Sequence, residues 1–198
     1  MANRYAAPAT PRRQRGVTLV ELMVALTVLA ILAVAAMPNL RAIVNAGRLA
    51  AAANETVATL QSARVEAIRL NRRTVACLSA APNADVPACS AAGNGWIVFQ
   101  DANRDGQYAA AERLIRRATV SGNVQLLGSA AFANKVTFNA DGMARDAGGS
   151  LLNAVVSVCL PTTEPQENER DVSISAGSRV RITRKGAAGK CLAPGDKP

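Results

Sequence analysis

The sequence contains no histidine among its 198 residues. Ser-His-Asp and Cys-His catalytic arrangements and imidazole-held metals are therefore excluded, and most enzyme readings go with them. Aromatic residues are scarce, six in all with none after Phe138, so the C-terminal part offers no ring surface for stacking single-stranded bases. Acidic residues number 14 against 23 Lys and Arg, for a net charge of +9. Charge of either sign is missing altogether between Leu22 and Met37.

That gap belongs to a mostly apolar run beginning at Val17, about 30 Å long as a helix, which is the thickness of a bilayer's hydrocarbon core. Arg12, Arg13 and Arg15 precede it. The positive-inside rule then keeps residues 1–16 in the cytoplasm and sends the rest across. Glu21 interrupts the apolar run near its start, and acidic residues inside such segments usually mark function.

A basic leader ending in Gly16, followed five residues later by Glu21 inside an apolar helix, resembles the class III signal of type IV pilins and pseudopilins. The resemblance implies that a prepilin peptidase cleaves after Gly16 and that Val17, where pilins usually carry Phe, becomes the methylated N-terminus. Glu21 is then the fifth mature residue, and in a filament its carboxylate neutralises the Val17 amine of a neighbouring subunit. The alternative is a plain membrane anchor or an ordinary signal peptide, for which Ala33-Val34-Ala35 supplies an A-x-A site but which has no use for Glu21. The protein is expected to sit in the inner membrane as a single-pass prepilin with a periplasmic head, then in a filament at the cell surface.

The chain after Met37 suffices for one small domain with its own core. Pro38 falls inside a pattern that stays helical, at a position where pilins also carry Pro. Beyond it Leu40, Ile43, Val44, Gly47, Ala50, Ala53, Val57, Leu60, Arg64, Ala67 and Ile68 follow a spacing of three and four, which predicts one apolar helix face running to about Asn71. Short β-like runs follow: 74–79, 95–100, 113–120, 123–127, 135–139, 155–160, 171–176 and 179–183. One long helix followed by seven or eight short strands predicts an α+β fold, a β-sheet or small sandwich packed on the helix's soluble half as in type IV pilins. The expected layout is a leader at 1–16, a transmembrane helix at 17–37, its amphipathic continuation at 38–73, a β-rich head at 74–176 and a basic strand and loop at 177–198. Four cysteines in an exported chain suggest two disulfides. Of the three possible pairings, Cys77 with Cys89 and Cys159 with Cys191 is favoured.

Several pieces together resemble the FimT/GspH-like minor pilins and pseudopilins: Ser62 to Ile68, Gly95 to Phe99, Asp101 to Gly106, Glu112 to Arg116, Val136 to Phe138 with Asp141-Gly142, and the segment around Gly177. Their order covers nearly the whole mature chain. Within it, Asp101 to Glu112 fits the spacing D-x-[DN]-x-[DN]-G-x5-E of a calcium loop, with Asp101, Asn103, Asp105 and Glu112 as side-chain ligands. The flanks read as strands rather than helices, so a turn rich in Asp, Asn and Gly is the other reading, and no cofactor is otherwise implied.

The last segment carries Arg179, Arg181, Arg184, Lys185, Lys190 and Lys197 against Asp196, net +5. The chain after Gly16 is also net +5, so the excess resides here. Alternation puts Arg179 and Arg181 on one strand face and Val180 and Ile182 on the other. Arginine forks suit phosphate oxygens, and such binding is salt-sensitive and largely sequence-independent. The FimT resemblance implies double-stranded DNA as partner, captured for uptake in natural transformation, with Gly177-Ser178-Arg179-Val180-Arg181 standing near the family's G-R-x-R motif. Arg179, Arg181, Arg184, Lys185 and Lys190 are the candidate DNA contacts, and other pilin subunits the remaining partners. The alternative is a structural minor pilin, or a GspH-like pseudopilin of type II secretion, whose basic strand pairs with Glu164, Glu167, Glu169 and Asp171.

Overall fold

The computed structural model describes residues 16–196, the side chains at 35, 36, 38 and 39 excepted. Arg12, Arg13, Arg15, the leader before Gly16, the Pro38 side chain and Lys197 lie outside them. Helix α1 spans Leu19–Leu70, and the chain divides into two compact units, Met1–Pro38 and Asn39–Pro198.

In the first unit the helix starts on a cap. The Glu21 amide donates to Thr18 Oγ1 at 3.2 Å, which makes Thr18 the N-cap and puts Glu21 at the third helical position. There a carboxylate also complements the positive end of the helix dipole. Every large apolar side chain described from Leu19 to Val34 is more than half exposed. Among the described residues no helix is long and apolar enough to cross a membrane.

In the second unit the rest of α1 packs on a two-sheet head. The helix ends in a Schellman motif: Arg72 N–H donates to the Ala67 carbonyl and Asn71 N–H to that of Ile68, with Asn71 at a φ of 49°. Asn tolerates that left-handed conformation, and the chain turns into the first strand. Ten strands follow: β1 Thr74–Ser79, β2 Ala92–Gly93, β3 Gly95–Gln100, β4 Leu114–Thr119, β5 Gln125–Gly128, β6 Lys135–Phe138, β7 Ala144–Arg145, β8 Ala154–Cys159, β9 Glu169–Ser175 and β10 Arg179–Lys185. They form two five-stranded antiparallel sheets in the orders β4-β3-β1-β6-β7 and β10-β9-β8-β5-β2. The expected α+β architecture holds, with two strands more than the eight predicted.

The buried helix face shares Ala53, Val57, Leu60 and Ala67 with the expected one and otherwise differs from it. Leu49, Ala52, Ala53, Thr56, Thr59, Leu60, Ala63 and Ala67 are buried, whereas Leu40, Ile43, Val44 and Ile68 are at least half exposed. The packed face is built of small residues, which let the helix axis approach the sheets closely, and Thr56 satisfies its hydroxyl on the Ala52 carbonyl at 2.9 Å. Against that face stand Trp96, Phe138, Val98, Val156 and Val172 in one apolar cluster. The far side of the first sheet carries a smaller cluster of Val75, Cys77, Ile97 and Phe99, covered by Cys89, Tyr108 and Leu114. Cys77–Cys89 ties that cover to β1, and Cys159–Cys191 ties the C-terminal segment to β8.

Candidate nucleic-acid interface

Arg179, Arg181, Arg184 and Lys185 sit on β10, an edge strand because β9 pairs it on one side only, and Lys190 lies beyond it. A hairpin joins β9 to β10 through Ala176 and Gly177, both at positive φ. Gly177 is needed there: an added Cβ would stand 2.7 Å from the Ala144 carbonyl oxygen. Its own carbonyl accepts from Ala144 N–H at 2.7 Å and its N–H donates to Leu152. The hairpin tip is thereby fastened to β7 of the other sheet.

Register decides which charges face together. Arg179 lies opposite Ser175, Arg181 opposite Ser173, Thr183 opposite Asp171 and Lys185 opposite Glu169. Val180, Ile182 and Arg184 point to the other face, where Val180 joins the core under the helix. The five candidate contacts are therefore not one patch. Arg184 stands opposite Arg170, whose pKa is lowered by burial first and by the Arg184 charge second. Arg170 donates to the carbonyls of Glu167 and Glu169 at 2.8 and 2.9 Å.

Two of the five have an acidic neighbour, Arg184 an exposed one and Lys185 a buried one. Arg184 Nη1 lies 4.0 Å from Glu167 Oε2 and Lys185 Nζ 3.7 Å from Glu169 Oε2. Glu169 is buried and also accepts from the Ser157 hydroxyl at 2.7 Å, so Lys185 compensates a charge that water does not reach. Arg184 and Lys185 are strand residues with acidic neighbours, as the alternative reading of the basic strand expects for Glu167 and Glu169. Arg179, Arg181 and Lys190 are exposed, and among the described residues none forms an ion pair.

Beyond β10 the chain returns across the sheet. Ala187 N–H donates to Asn168 Oδ1 at 2.7 Å, Cys191 is bonded to Cys159, and Ala131 N–H donates to Asp196 Oδ1 at 2.9 Å. The Asp196 carboxyl is held below its ordinary pKa by the Ser129 hydroxyl, then by that Ala131 amide. The basic strand and the segment after it thus form an anchored surface.

The calcium loop resolves differently from its spacing. Its candidate ligands are turned to backbone amides: Asp101 Oδ2 accepts from Gly106, Asn103 Oδ1 from Asp105, Asp105 Oδ1 from Gln107, and the two Glu112 oxygens from Ala102 and Ala109. The cation beside the fully buried Asp101 side chain is Arg73, its Nη2 2.8 Å from Oδ2. Among the described residues no group of acidic residues or cysteines could hold a metal. The spacing serves here as the hydrogen-bonded loop between β3 and β4, and Arg73, outside the motif, carried no signal in it.

Residues 52–178 match the family of type II transport protein GspH, and residues 11–37 the prokaryotic N-terminal methylation motif. Among solved structures, the type IV minor pilin FimU of Pseudomonas aeruginosa in space group P21 superposes with a TM-score of 0.51 at 20% identity, over 72% of this chain and 96% of that one. FimU in space group P65 gives 0.46 at 19% identity, over 70% and 98%. The first likeness establishes a shared fold. No curated protein sequence matches the chain.

Proposed function

The chain belongs to the family of type II transport protein GspH, and on that premise we propose that it is a minor type IV pilin that binds double-stranded DNA for uptake in natural transformation. In this reading it enters the inner membrane as a prepilin through residues 17–37, where the sequence continues the apolar run past Val34 to Met37. Prepilin peptidase cleaves after Gly16, Val17 is methylated, and Glu21 pairs with a neighbour's new amine on assembly. Residues 38–73 continue the helix, 74–176 form the head, and 177–198 present the basic surface. The exposed apolar stripe of Leu40, Ile43, Val44, Val65 and Ile68 suits packing against other pilin subunits. We assign it no catalytic role.

One observation carries the DNA reading. Arg179 and Arg181 stand exposed on one face of an edge strand, lining a groove of about 560 Å³ together with Ser173, Ser175 and Thr183. Two unpaired guanidinium forks on a rigid strand suit phosphate oxygens, and the absence of any ring beside them fits backbone rather than base contacts. The test is duplex binding by the full chain in non-ionic detergent. Arg179→Gln/Arg181→Gln should weaken it by roughly tenfold or more, since each phosphate contact is charge-assisted; unchanged affinity would remove these arginines from the interface.

A second reading keeps the pilin fold without DNA: a pseudopilin of type II secretion acting only in assembly. The family's own description favours it, as do the Arg184 and Lys185 ion pairs. No duplex binding even at low salt would leave that reading.

A further inference from the structure

The groove beside Arg179 and Arg181 contains more than arginine. Its lining includes Ser173, Ser175 and Thr183, all on the face that the arginines share by register. Both serines are half-buried and both arginines exposed, so hydroxyls form the floor and guanidinium groups the wall. Ser173 Oγ makes only a long bond, 3.4 Å, to the Arg181 carbonyl. The Ser175 side chain makes no hydrogen bond among the described residues. Ser175 is thus a donor without an acceptor and Ser173 one with only a long bond, each directly across from an exposed arginine.

The repeat matters as much as the chemistry. Directly opposite side chains on paired antiparallel strands have Cβ atoms about 5 Å apart, and positions two apart on one strand repeat at roughly 6.6–6.8 Å. Arg179 with Ser175 and Arg181 with Ser173 are therefore two copies of one small donor cluster, side by side. Building on the DNA reading above, we propose that each Arg–Ser pair holds one phosphate, the guanidinium donating a fork of N–H bonds and the hydroxyl one O–H bond. Two such stations in line select a chain of successive phosphates, the sugar-phosphate backbone of a nucleic acid, over a single phosphate group. Ser173 and Ser175 are then contact residues of the interface, and the hairpin register held by Gly177 sets their alignment with the arginines.

The experiment compares duplex affinity of the full chain in non-ionic detergent across salt for three forms: unaltered, Ser173→Ala/Ser175→Ala, and Ser173→Thr/Ser175→Thr. The alanine form should bind about tenfold more weakly per serine, as for hydrogen bonds to a charged acceptor. Its salt slope should stay that of the unaltered chain, because a hydroxyl displaces no counterion. The threonine form keeps the hydroxyl and suits a strand, and it should retain affinity. Unchanged affinity in the alanine form, or equal loss in the alanine and threonine forms, overturns the proposal while the DNA reading stands. Absence of duplex binding by the unaltered chain overturns both.

Discussion

Replacing Arg73 by Met should destabilise the head by about 3–5 kcal/mol, the cost of leaving a buried charge without its partner. The Asp101 side chain has no solvent exposure and meets Arg73 at 2.8 Å. Its remaining recorded donor is the Gly106 amide at 3.1 Å. Asp101 Oδ1 and Arg73 Nε are themselves buried without hydrogen bonds, so the ion pair is the main compensation for the carboxylate. For a domain of this size the loss corresponds to roughly 6–20 °C in melting temperature. Trp96, the single tryptophan and fully buried, reports unfolding by its fluorescence in the full chain in detergent. Adding Asp101→Asn to the variant should restore part of the loss, since the uncompensated charge is then gone. Calcium or a chelator should leave the melting of the unaltered chain where it is. A shift below about 1 kcal/mol for Arg73→Met would refute the argument. So would a rise in melting temperature with calcium, which would make the loop a metal site after all.

Two further outcomes follow from the anchored C-terminal segment. Cys159→Ser/Cys191→Ser opens a loop of sequence separation 32, which by chain entropy should cost roughly 3–4 kcal/mol; thermal unfolding checks it, and an unchanged melting temperature would contradict it. The folded pKa of Asp196 lies below the unfolded value, so its contribution is present above the ordinary carboxylate pKa of about 3.9 and lost as pH falls through the lower folded one. The Ala131 amide resonance, whose N–H donates to that carboxylate, should titrate with a midpoint below about 3.9; a midpoint at or above it would break the link.

Much of this was legible in the sequence because particular segments obey simple rules. β1 and β3 have the bounds expected of their short, mostly apolar β-like runs, set off by turn residues, and both are buried almost throughout. β2 and β7, two residues each, are too short to show alternation. β10 runs on to Lys185 because an exposed edge strand needs no apolar alternation to persist. The helix face was partly misplaced: Ala53, Val57, Leu60 and Ala67 pack as expected, but the rest of the packed side is largely alanine and threonine, while the larger Leu40, Ile43 and Val44 point outward. Hydrophobic spacing follows size, and close helix–sheet contact selects against it. At the candidate site, the sequence offered both free cations and pairing of the strand with nearby glutamates, but not which residue takes which fate. Glu169 faces Lys185 only once the antiparallel register brings β9 beside β10, and Glu167, just before β9, then comes within 4.0 Å of Arg184. The serines were invisible for the same reason, since nothing in Ser173 or Ser175 alone marks them until each faces an arginine.

The salt dependence of duplex DNA binding bears most directly on the central claim. Three exposed cations of the basic segment, Arg179, Arg181 and Lys190, form no ion pair among the described residues. At about −0.9 per phosphate contact, the slope of log K against log salt should be near −2.7 for the full chain and near −0.9 for Arg179→Gln/Arg181→Gln. A slope that the double variant leaves unchanged, or no binding at low salt, would contradict a DNA-binding role for this strand.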